Sequence, residues 1–316
     1  MASQSKHDTL ASSRRDTHHP PAIRSSSSTI KKRFTPDGVS YLISGKKSRL
    51  GLVCVHGWGC CASDFTLLFQ ELNRKGADLK LLAIDLPGHG DSPKELCPDA
   101  SVSGCARAAL SVAQHENLSE IVLCGHSMGG RMVMAAFTQA QATGIPIVRS
   151  IIFLDVSNYK LRPKLYEFDE KDPRSKAMTE PQKAIKKAEM FQSMFSSETP
   201  LDFELATLNH LKTLDRNFAN AIRENYIRYD HEDLNASLAN VGECGIPFCN
   251  LQSTDIDGEN QRFPLKSGQI SPWMQLIQEK VPQAQQVVVE DSAHFPHVDQ
   301  PQQVANLVLD FVRDFE

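Results

Sequence analysis

The chain has 316 residues, of which 41% are hydrophobic, and carries 34 Lys and Arg against 38 Asp and Glu. This composition excludes a disordered or fibrous chain and fits one large α/β domain with an insertion, or two domains. The weakly acidic balance disfavours nucleic acid as the main partner. Eight Cys occur without a C-x-x-C pair, so we expect a reducing compartment. No apolar run reaches the length of a membrane span, so we expect no membrane-spanning helix.

Residues 1–28 are rich in Ser, His, Arg and Pro and poor in apolar side chains. Such a segment cannot offset the entropy that is lost on ordering, so the sequence predicts a disordered tail. Its basic, Ser-rich composition is compatible with mitochondrial targeting and Lys31-Lys32-Arg33 with nuclear import, but neither pattern is specific. We therefore expect a cytoplasmic protein.

From residue 29 onward, apolar runs alternate with helical patterns. A hairpin is predicted around the Pro- and Gly-containing turn at 35–38. Continuous apolar runs predict strands buried on both faces, at 50–55, 81–84, 121–124 and 150–155. The helical patterns between these strands complete an α/β fold: a mostly parallel central sheet of about eight strands with helices on both faces.

The alternation stops after residue 156 and resumes at 245. Four helical patterns occupy this interval, at 182–196, 201–214, 218–229 and 232–241. Met and aromatic residues are frequent there, and most are expected on the buried faces of the helices. The insertion leaves the sheet at the carboxyl edge of its strands, where α/β sheets bind ligands. We therefore predict a helical lid at 157–244 inserted into a core at 29–156 and 245–316.

The sequence GHSMG at 125–129 is a G-x-S-x-G pattern that follows an apolar strand and precedes a helix. A Ser in such a sharp turn projects its hydroxyl away from its own backbone, and the two Gly residues leave room for neighbouring chain. The N–H of Met128 would lie at the positive end of the helix, where an oxyanion is stabilised. The same pattern is also typical of a Ser that caps a helix between packing glycines.

A serine hydroxyl is a weak nucleophile, so it requires a base and a carboxylate that orients the base. Asp255 follows a late predicted strand, and His294 follows the last one. If these strands are parallel, both residues lie with Ser127 at the carboxyl edge of the sheet. The order Ser, Asp, His is the one expected of this architecture.

Five motifs in order resemble the α/β-hydrolase fold superfamily, in its serine-nucleophile branch with a helical lid. They are HGWG at 56–59, DLPGHGDS at 85–92, GHSMGG at 125–130, the Pro247 strand leading to Asp255, and AHFPH at 293–297. The resemblance covers residues 29–316. It implies Ser127 as nucleophile, His294 as base and then acid, and Asp255 as the orienting carboxylate. It also implies an oxyanion hole made by the backbone N–H groups of Trp58 and Met128.

The acid and the base both have rivals. Asp257 and Asp155 compete with Asp255, because the strand before Asp255 is unusually polar and lacks the Gly that the family has before its acid. His297 competes with His294, although the family pattern favours His294. The remaining candidates near these motifs are expected to be structural or inert: His56, His89, His126, Cys60 and Cys61.

The resemblance implies hydrolysis of a carboxylic ester or thioester through an acyl-enzyme, with no metal and no organic cofactor. Ser at the nucleophile position argues against the epoxide-hydrolase and dehalogenase branches. The Met and Phe content of the lid predicts a small, mainly apolar substrate. A C–C bond hydrolase, an acyltransferase and a non-catalytic ligand receptor stay open as alternatives, because a fold does not fix a substrate. The sequence gives no indication of oligomeric state.

Overall fold

The computed structural model describes residues 29–158, 177–257 and 261–313. The predicted tail at 1–28, residues 159–176 of the predicted lid and residues 258–260 lie outside these ranges. The strands are β1 (Lys31–Phe34), β2 (Ser40–Gly45), β3 (Leu50–Val55), β4 (Lys80–Ile84), β5 (Glu120–His126), β6 (Ile147–Leu154), β7 (Phe248–Gln252), β8 (Thr254–Ile256), β9 (Arg262–Pro264) and β10 (Gln285–Val288).

The described residues also form ten α-helices, which separate or follow the strands. They are α1 (Thr66–Arg74), α2 (Val102–His115), α3 (Gly129–Thr143), α4 (Glu180–Gln192), α5 (Leu201–Thr213), α6 (Arg216–Glu232), α7 (Leu234–Glu243), α8 (Pro272–Lys280), α9 (Pro296–Asp299) and α10 (Pro301–Arg313). None of the helices in the described ranges is long and apolar enough to cross a membrane.

Eight strands form one sheet in the order β1-β2-β4-β3-β5-β6-β7-β10. The six strands from β4 to β10 in this order are parallel, whereas β1 and β2 pair antiparallel at one edge. The strands β8 and β9 form a separate antiparallel ribbon. The predicted fold class, an α/β protein with a mostly parallel sheet of eight strands, is confirmed.

Alternate residues of the central strands enter two different cores, one on each face of the sheet. Val53 and Val55 of β3 pack in the core that contains the apolar residues of α2 and α3. Leu52 and Cys54 of the same strand pack in the core that contains those of α1 and α10. Helices therefore cover both faces, which is why the central strands are continuously apolar.

The helices α4 to α7 lie between β6 and β7 in the chain, within the predicted lid. Apolar residues of α6 and α7, including Phe218 and Leu238, join the core on the α2 and α3 side. Residues that follow α4, such as Phe195, pack with Phe295 beyond the last strand of the sheet. The insertion thus contacts the core at two separate places.

A buried ion pair joins this insertion to the helix after the GHSMG motif. Arg131 of α3 donates from Nε to Asp230 Oδ1 at 2.8 Å and from Nη2 to Oδ2 at 2.5 Å, with α6 supplying the Asp. The two side chains are 2% and 0% exposed. Arg131 Nη1 also donates to the carbonyl oxygen of Ser127 at 3.1 Å. A charge pair withdrawn from water is tolerated only with such complete bonding.

We expect Asp230→Ala to lower the free energy of unfolding by about 3–5 kcal/mol, because the variant leaves the Arg131 guanidinium buried without its carboxylate. Urea unfolding measures the difference. Glu224→Ala is the control, since Glu224 is an exposed acid on the same helix, and we expect it to change stability by less than about 0.5 kcal/mol. Equal effects of the two substitutions would contradict the structural role given to the ion pair.

Candidate active site

Ser127 occupies a strained turn between β5 and α3. Its φ of 52° is in the left-handed region that non-Gly residues rarely adopt, and its N–H donates to the carbonyl oxygen of Leu154 at 3.1 Å. A Cβ atom on Gly129 would lie 2.2 Å from the carbonyl oxygen of Val55, so no larger residue fits there. On Gly125 it would lie 2.7 Å from the carbonyl oxygen of Gly129. The predicted reason for both glycines is therefore present in the packing.

His294 lies directly against this serine. Its Nε2 is 2.9 Å from Ser127 Oγ, and its Nδ1 is 2.6 Å from Asp155 Oδ2. The backbone of His294 is held on both sides, because its N–H donates to the carbonyl oxygen of Met194 and its carbonyl oxygen accepts from His126 Nε2. With Nδ1–H donating to the carboxylate, Nε2 presents a lone pair to the serine hydroxyl.

The carboxylate against His294 is that of Asp155 and not that of the predicted Asp255. The reason is strand order. His126 of β5 is paired with Leu154 of β6, so the next residues, Ser127 and Asp155, leave the sheet side by side. Asp255 lies instead within β8, in the ribbon where it pairs with Phe263 of β9. The assignment of Asp255 as the orienting acid is corrected by this geometry.

The other rival, Asp257, closes its own loop. It is exposed, and its Oδ1 accepts from the N–H of Gln261 at 2.8 Å. Among the three candidate acids, Asp155 was the one that ends a strand adjacent to the nucleophile strand, but the sequence does not reveal which strands are adjacent.

The end of β7 and the residues after it surround the Asp155 carboxylate with hydrogen-bond donors. Oδ1 accepts from Gln252 Nε2 at 2.9 Å and from the backbone N–H groups of Ser253 and Thr254 at 3.0 and 2.8 Å. Oδ2 accepts from Thr254 Oγ1 at 2.6 Å, in addition to His294. The segment before Asp255 is more polar than the family pattern because its polar groups hydrogen-bond the buried Asp155 carboxylate.

A guanidinium completes the surroundings of Asp155. Arg262 Nη1 lies 3.1 Å from Oδ2, and the Arg262 side chain is 7% exposed. Burial alone would raise the pKa of Asp155, but the hydrogen bond from His294 and the charge of Arg262 outweigh it and hold the pKa below its usual range. Arg262 could not be predicted from the sequence, because a single Arg outside any motif gives no signal.

The HGWG loop after β3 lies against Ser127. A Cβ atom on Gly57 would be 3.0 Å from Ser127 Cβ, so this backbone passes close to the hydroxyl. Met128 is the N-terminal capping residue of α3. The backbone groups predicted as oxyanion donors, those of Trp58 and Met128, therefore belong to the two segments that flank Ser127.

The indole of Trp58 contacts the inserted helices. Its Nε1 donates to the carbonyl oxygen of Ala219 in α6 at 2.9 Å, and its ring lies 5.9 Å from that of Phe191 in α4. Phe191 also packs against Gly59, where a Cβ atom would come within 2.8 Å of the ring. The insertion therefore rests directly on the loop next to Ser127.

Buried histidines around the site are neutral. Burial lowers the pKa of His56 to about 3, and its ring links two loops by donating from Nδ1 to the Gly57 carbonyl oxygen and accepting at Nε2 from the Leu86 N–H. Burial also lowers the pKa of His126 and His297 well below the usual value. The rival base, His297, is stacked on Phe65, with the ring centres 4.8 Å apart.

Cys60 and Cys61 follow the HGWG loop but have the properties of inert thiols. Burial raises the pKa of Cys61 to about 12 and that of Cys60 well above its usual value, and the nearby Asp64 carboxylate acts in the same direction. In the part of the chain that the structure describes, no group of three or more His, Cys, Asp or Glu side chains could hold a metal ion.

These contacts define what the arrangement can do chemically. A proton can pass from Ser127 Oγ to His294 Nε2, and the resulting imidazolium is stabilised by the Asp155 carboxylate at its other nitrogen. Met128, the residue after Ser127, caps the start of α3, so its backbone N–H is at the positive end of that helix. The site can therefore activate an oxygen nucleophile and stabilise a negative charge formed next to it.

Comparison with known proteins gives the family to which this architecture corresponds. A model of the alpha/beta hydrolase family matches residues 52–307. The Bacillus subtilis protein named uncharacterized hydrolase YugF is 34% identical over 110 residues, which are 34% of this chain and 39% of that protein. The Mus musculus sn-1-specific diacylglycerol lipase ABHD11 is 28% identical over 154 residues, 45% of this chain and 48% of that protein. The match thus spans less than half the length of either curated relative.

Solved structures share the fold at low sequence identity. A bromoperoxidase from Bacillus anthracis has a TM-score of 0.65 at 14% identity, with 90% of this chain and 100% of that chain covered. A lipase-esterase related protein from Clostridium acetobutylicum has a TM-score of 0.59 at 21% identity, covering 86% of this chain and 99% of the other. At these identities the likeness concerns the fold alone.

We expect Gly129→Ala to lower the free energy of unfolding by at least about 1–3 kcal/mol, because its Cβ atom would overlap the Val55 carbonyl oxygen and force the turn apart. Thermal unfolding measures the loss. Thr138→Ala on the exposed face of the same helix is the control and should leave the midpoint nearly unchanged. A Gly129→Ala protein as stable as the control would show that the turn is not packed as described.

Proposed function

Because the chain belongs to the alpha/beta hydrolase family, we propose that it is a serine hydrolase that cleaves a carboxylic ester or thioester by acyl transfer. The observation that carries this proposal is the continuous hydrogen-bonded path from Ser127 Oγ through His294 to Asp155, with contacts of 2.9 and 2.6 Å. A helix-capping Ser between packing glycines does not account for a His and a buried carboxylate aligned behind its hydroxyl.

In the first half of the proposed reaction, Ser127 Oγ attacks the carbonyl carbon while its proton passes to His294 Nε2. The carbonyl oxygen becomes an oxyanion, which the backbone N–H groups of Trp58 and Met128 stabilise. His294 then returns the proton to the leaving alcohol or thiol as its bond to the carbonyl carbon breaks. An acyl-enzyme on Ser127 results, and Asp155 stabilises the imidazolium during the transfer.

In the second half, water takes the place of the leaving group. His294 Nε2 removes a proton from the water, whose oxygen attacks the acyl carbon and forms a second oxyanion. When this intermediate collapses, the bond to Ser127 Oγ breaks and the serine recovers its proton from His294. The products are a carboxylic acid and the free enzyme, so no metal or organic cofactor takes part in the proposed cycle.

A mainly apolar substrate is supported by the side chains that the insertion brings to the site. Phe195 and Phe203 pack with Phe295, the residue after the proposed base, at ring separations of 5.5 and 5.2 Å. Phe191 packs on Trp58 at the other side. Burial of acyl carbons against such rings is favourable. The diacylglycerol lipase name of the mouse relative is consistent with this substrate class.

We expect a fluorophosphonate probe to label the wild-type protein and not Ser127→Ala, because the probe reacts only with an activated serine. Ser193→Ala removes an exposed hydroxyl of the insertion and serves as the matched control, which should keep full labelling. Hydrolysis of p-nitrophenyl esters of graded acyl length then sizes the acyl site. Equal labelling of Ser127→Ala, or none of the folded wild type, would refute the proposed nucleophile.

We expect Asp155→Asn to lower kcat by about 10³–10⁴-fold, because Asn stabilises neither the correct tautomer nor the imidazolium. The same substitution at Asp255 should reduce kcat by less than about threefold, since Asp155 supplies the carboxylate against His294. Steady-state kinetics on the best ester measures both. A larger loss in Asp255→Asn would restore Asp255 as the orienting acid.

A further inference from the structure

The Asp155 carboxylate divides its hydrogen bonds unequally between its two oxygens. Oδ1 accepts hydrogen bonds from the last residue of β7 and from the backbone of the two residues after it. Oδ2 faces His294 and is shared by three donors: His294 Nδ1 at 2.6 Å, Thr254 Oγ1 at 2.6 Å and Arg262 Nη1 at 3.1 Å. One of these three donors, Arg262, is a permanent cation.

The ribbon of β8 and β9 accounts for the position of Arg262. The chain leaves the Asp155 surroundings as β8 and returns antiparallel as β9, with Ile256 paired to Arg262. The ribbon is anchored to the site by the Leu265 N–H, which donates to the Ser253 carbonyl oxygen at 2.8 Å. Arg262 Nη1 also hydrogen-bonds Thr254 Oγ1. The guanidinium is therefore fixed by backbone pairing rather than by a flexible loop end.

We propose that Arg262 sets the working pH of the triad by sharing with His294 the single Asp155 oxygen that faces the ring; this role rests on the proposed function. A buried carboxylate beside an imidazole favours the protonated ring, which has no lone pair for the serine proton. The fixed charge of Arg262 neutralises part of the Asp155 charge and repels the proton on the ring. His294 consequently stays a free base to lower pH than an isolated Asp–His pair would allow.

The other groups around His294 do not take over this role. His126 of β5 lies beside His294, with ring centres 4.8 Å apart, and His297 of α9 packs against His126. Both rings are neutral because burial lowers their pKa values. Asp299 of α9 lies behind the same loop, where its Oδ2 accepts from the Ala293 N–H at 2.8 Å, and adds negative charge. Asp255 on β8 adds a further carboxylate to the ribbon. The guanidinium of Arg262 opposes the negative charge of these carboxylates.

The experiment compares wild type, Arg262→Gln and Arg262→Lys in the full chain, by kcat/KM for a p-nitrophenyl ester from about pH 5 to about pH 9. We expect the acid limb of the Arg262→Gln profile to move to higher pH by about one unit, with an unchanged plateau. At pH values below the wild-type midpoint, kcat/KM of this variant should therefore be about tenfold lower than that of the wild type. Arg262→Lys keeps a cation and should restore the wild-type midpoint to within about half a unit.

A purely structural role predicts a different result. Loss of positioning would lower kcat/KM by the same factor at every pH, so an unmoved midpoint in Arg262→Gln overturns the proposal. So would an Arg262→Lys profile that is shifted as far as that of Arg262→Gln.

A second measurement separates this proposal from the proposed function. The NMR titration of the His294 ring reports its basicity whether or not any ester is cleaved, and the titration midpoint should rise in Arg262→Gln. Absent fluorophosphonate labelling overturns the serine hydrolase, whereas intact labelling with an unmoved titration overturns only the role of Arg262. If Arg262→Gln does not fold, Arg262→Met, which keeps a long stem, carries the same test.

Discussion

The Asp155 carboxylate is a charge withdrawn from water, and the protein can keep it there only by surrounding it with donors. An ion of this kind costs several kcal/mol to bury, and bonding to every lone pair offsets that cost. The donors come from the end of β7, from β8, from β9 and from the loop that carries His294. The requirement to satisfy one carboxylate therefore brings four segments together, and the geometry of the base follows from it.

The helical insertion is tied to each part of the site by a different contact. Arg131 links the nucleophile turn to Asp230 of α6, the Trp58 indole bonds the carbonyl oxygen of Ala219, and the Met194 carbonyl oxygen accepts from the His294 N–H. Movement of the insertion would consequently disturb Ser127, the HGWG loop and His294 together. In the proposed enzyme, the element that covers the substrate thus also positions the groups that act on it.

A shared fold does not fix the chemistry of a site, which depends on individual side chains. A bromoperoxidase and a lipase-esterase related protein share the fold with this chain at 14% and 21% identity. This site contains a buried acid after β6 that is paired with both a His and an Arg. In the proposed enzyme, the charge of Arg262 beside Asp155 would set the pH range in which the triad is active.

The sequence is sufficient to predict the α/β fold, the turn at Ser127 and the loop position of His294, because continuous apolar strands, Gly residues at a tight turn and a His after the last strand are local signals. It did not determine the acid. Asp155 follows an apolar strand-like run and Asp255 follows a more polar one, so the sequence offers both as acids. Only the pairing of His126 with Leu154 brings Asp155 beside Ser127. Arg262 became part of the site in the same way, through the β8–β9 ribbon. Strand adjacency and register are long-range properties of the packed chain, so tertiary structure alone selected these two residues.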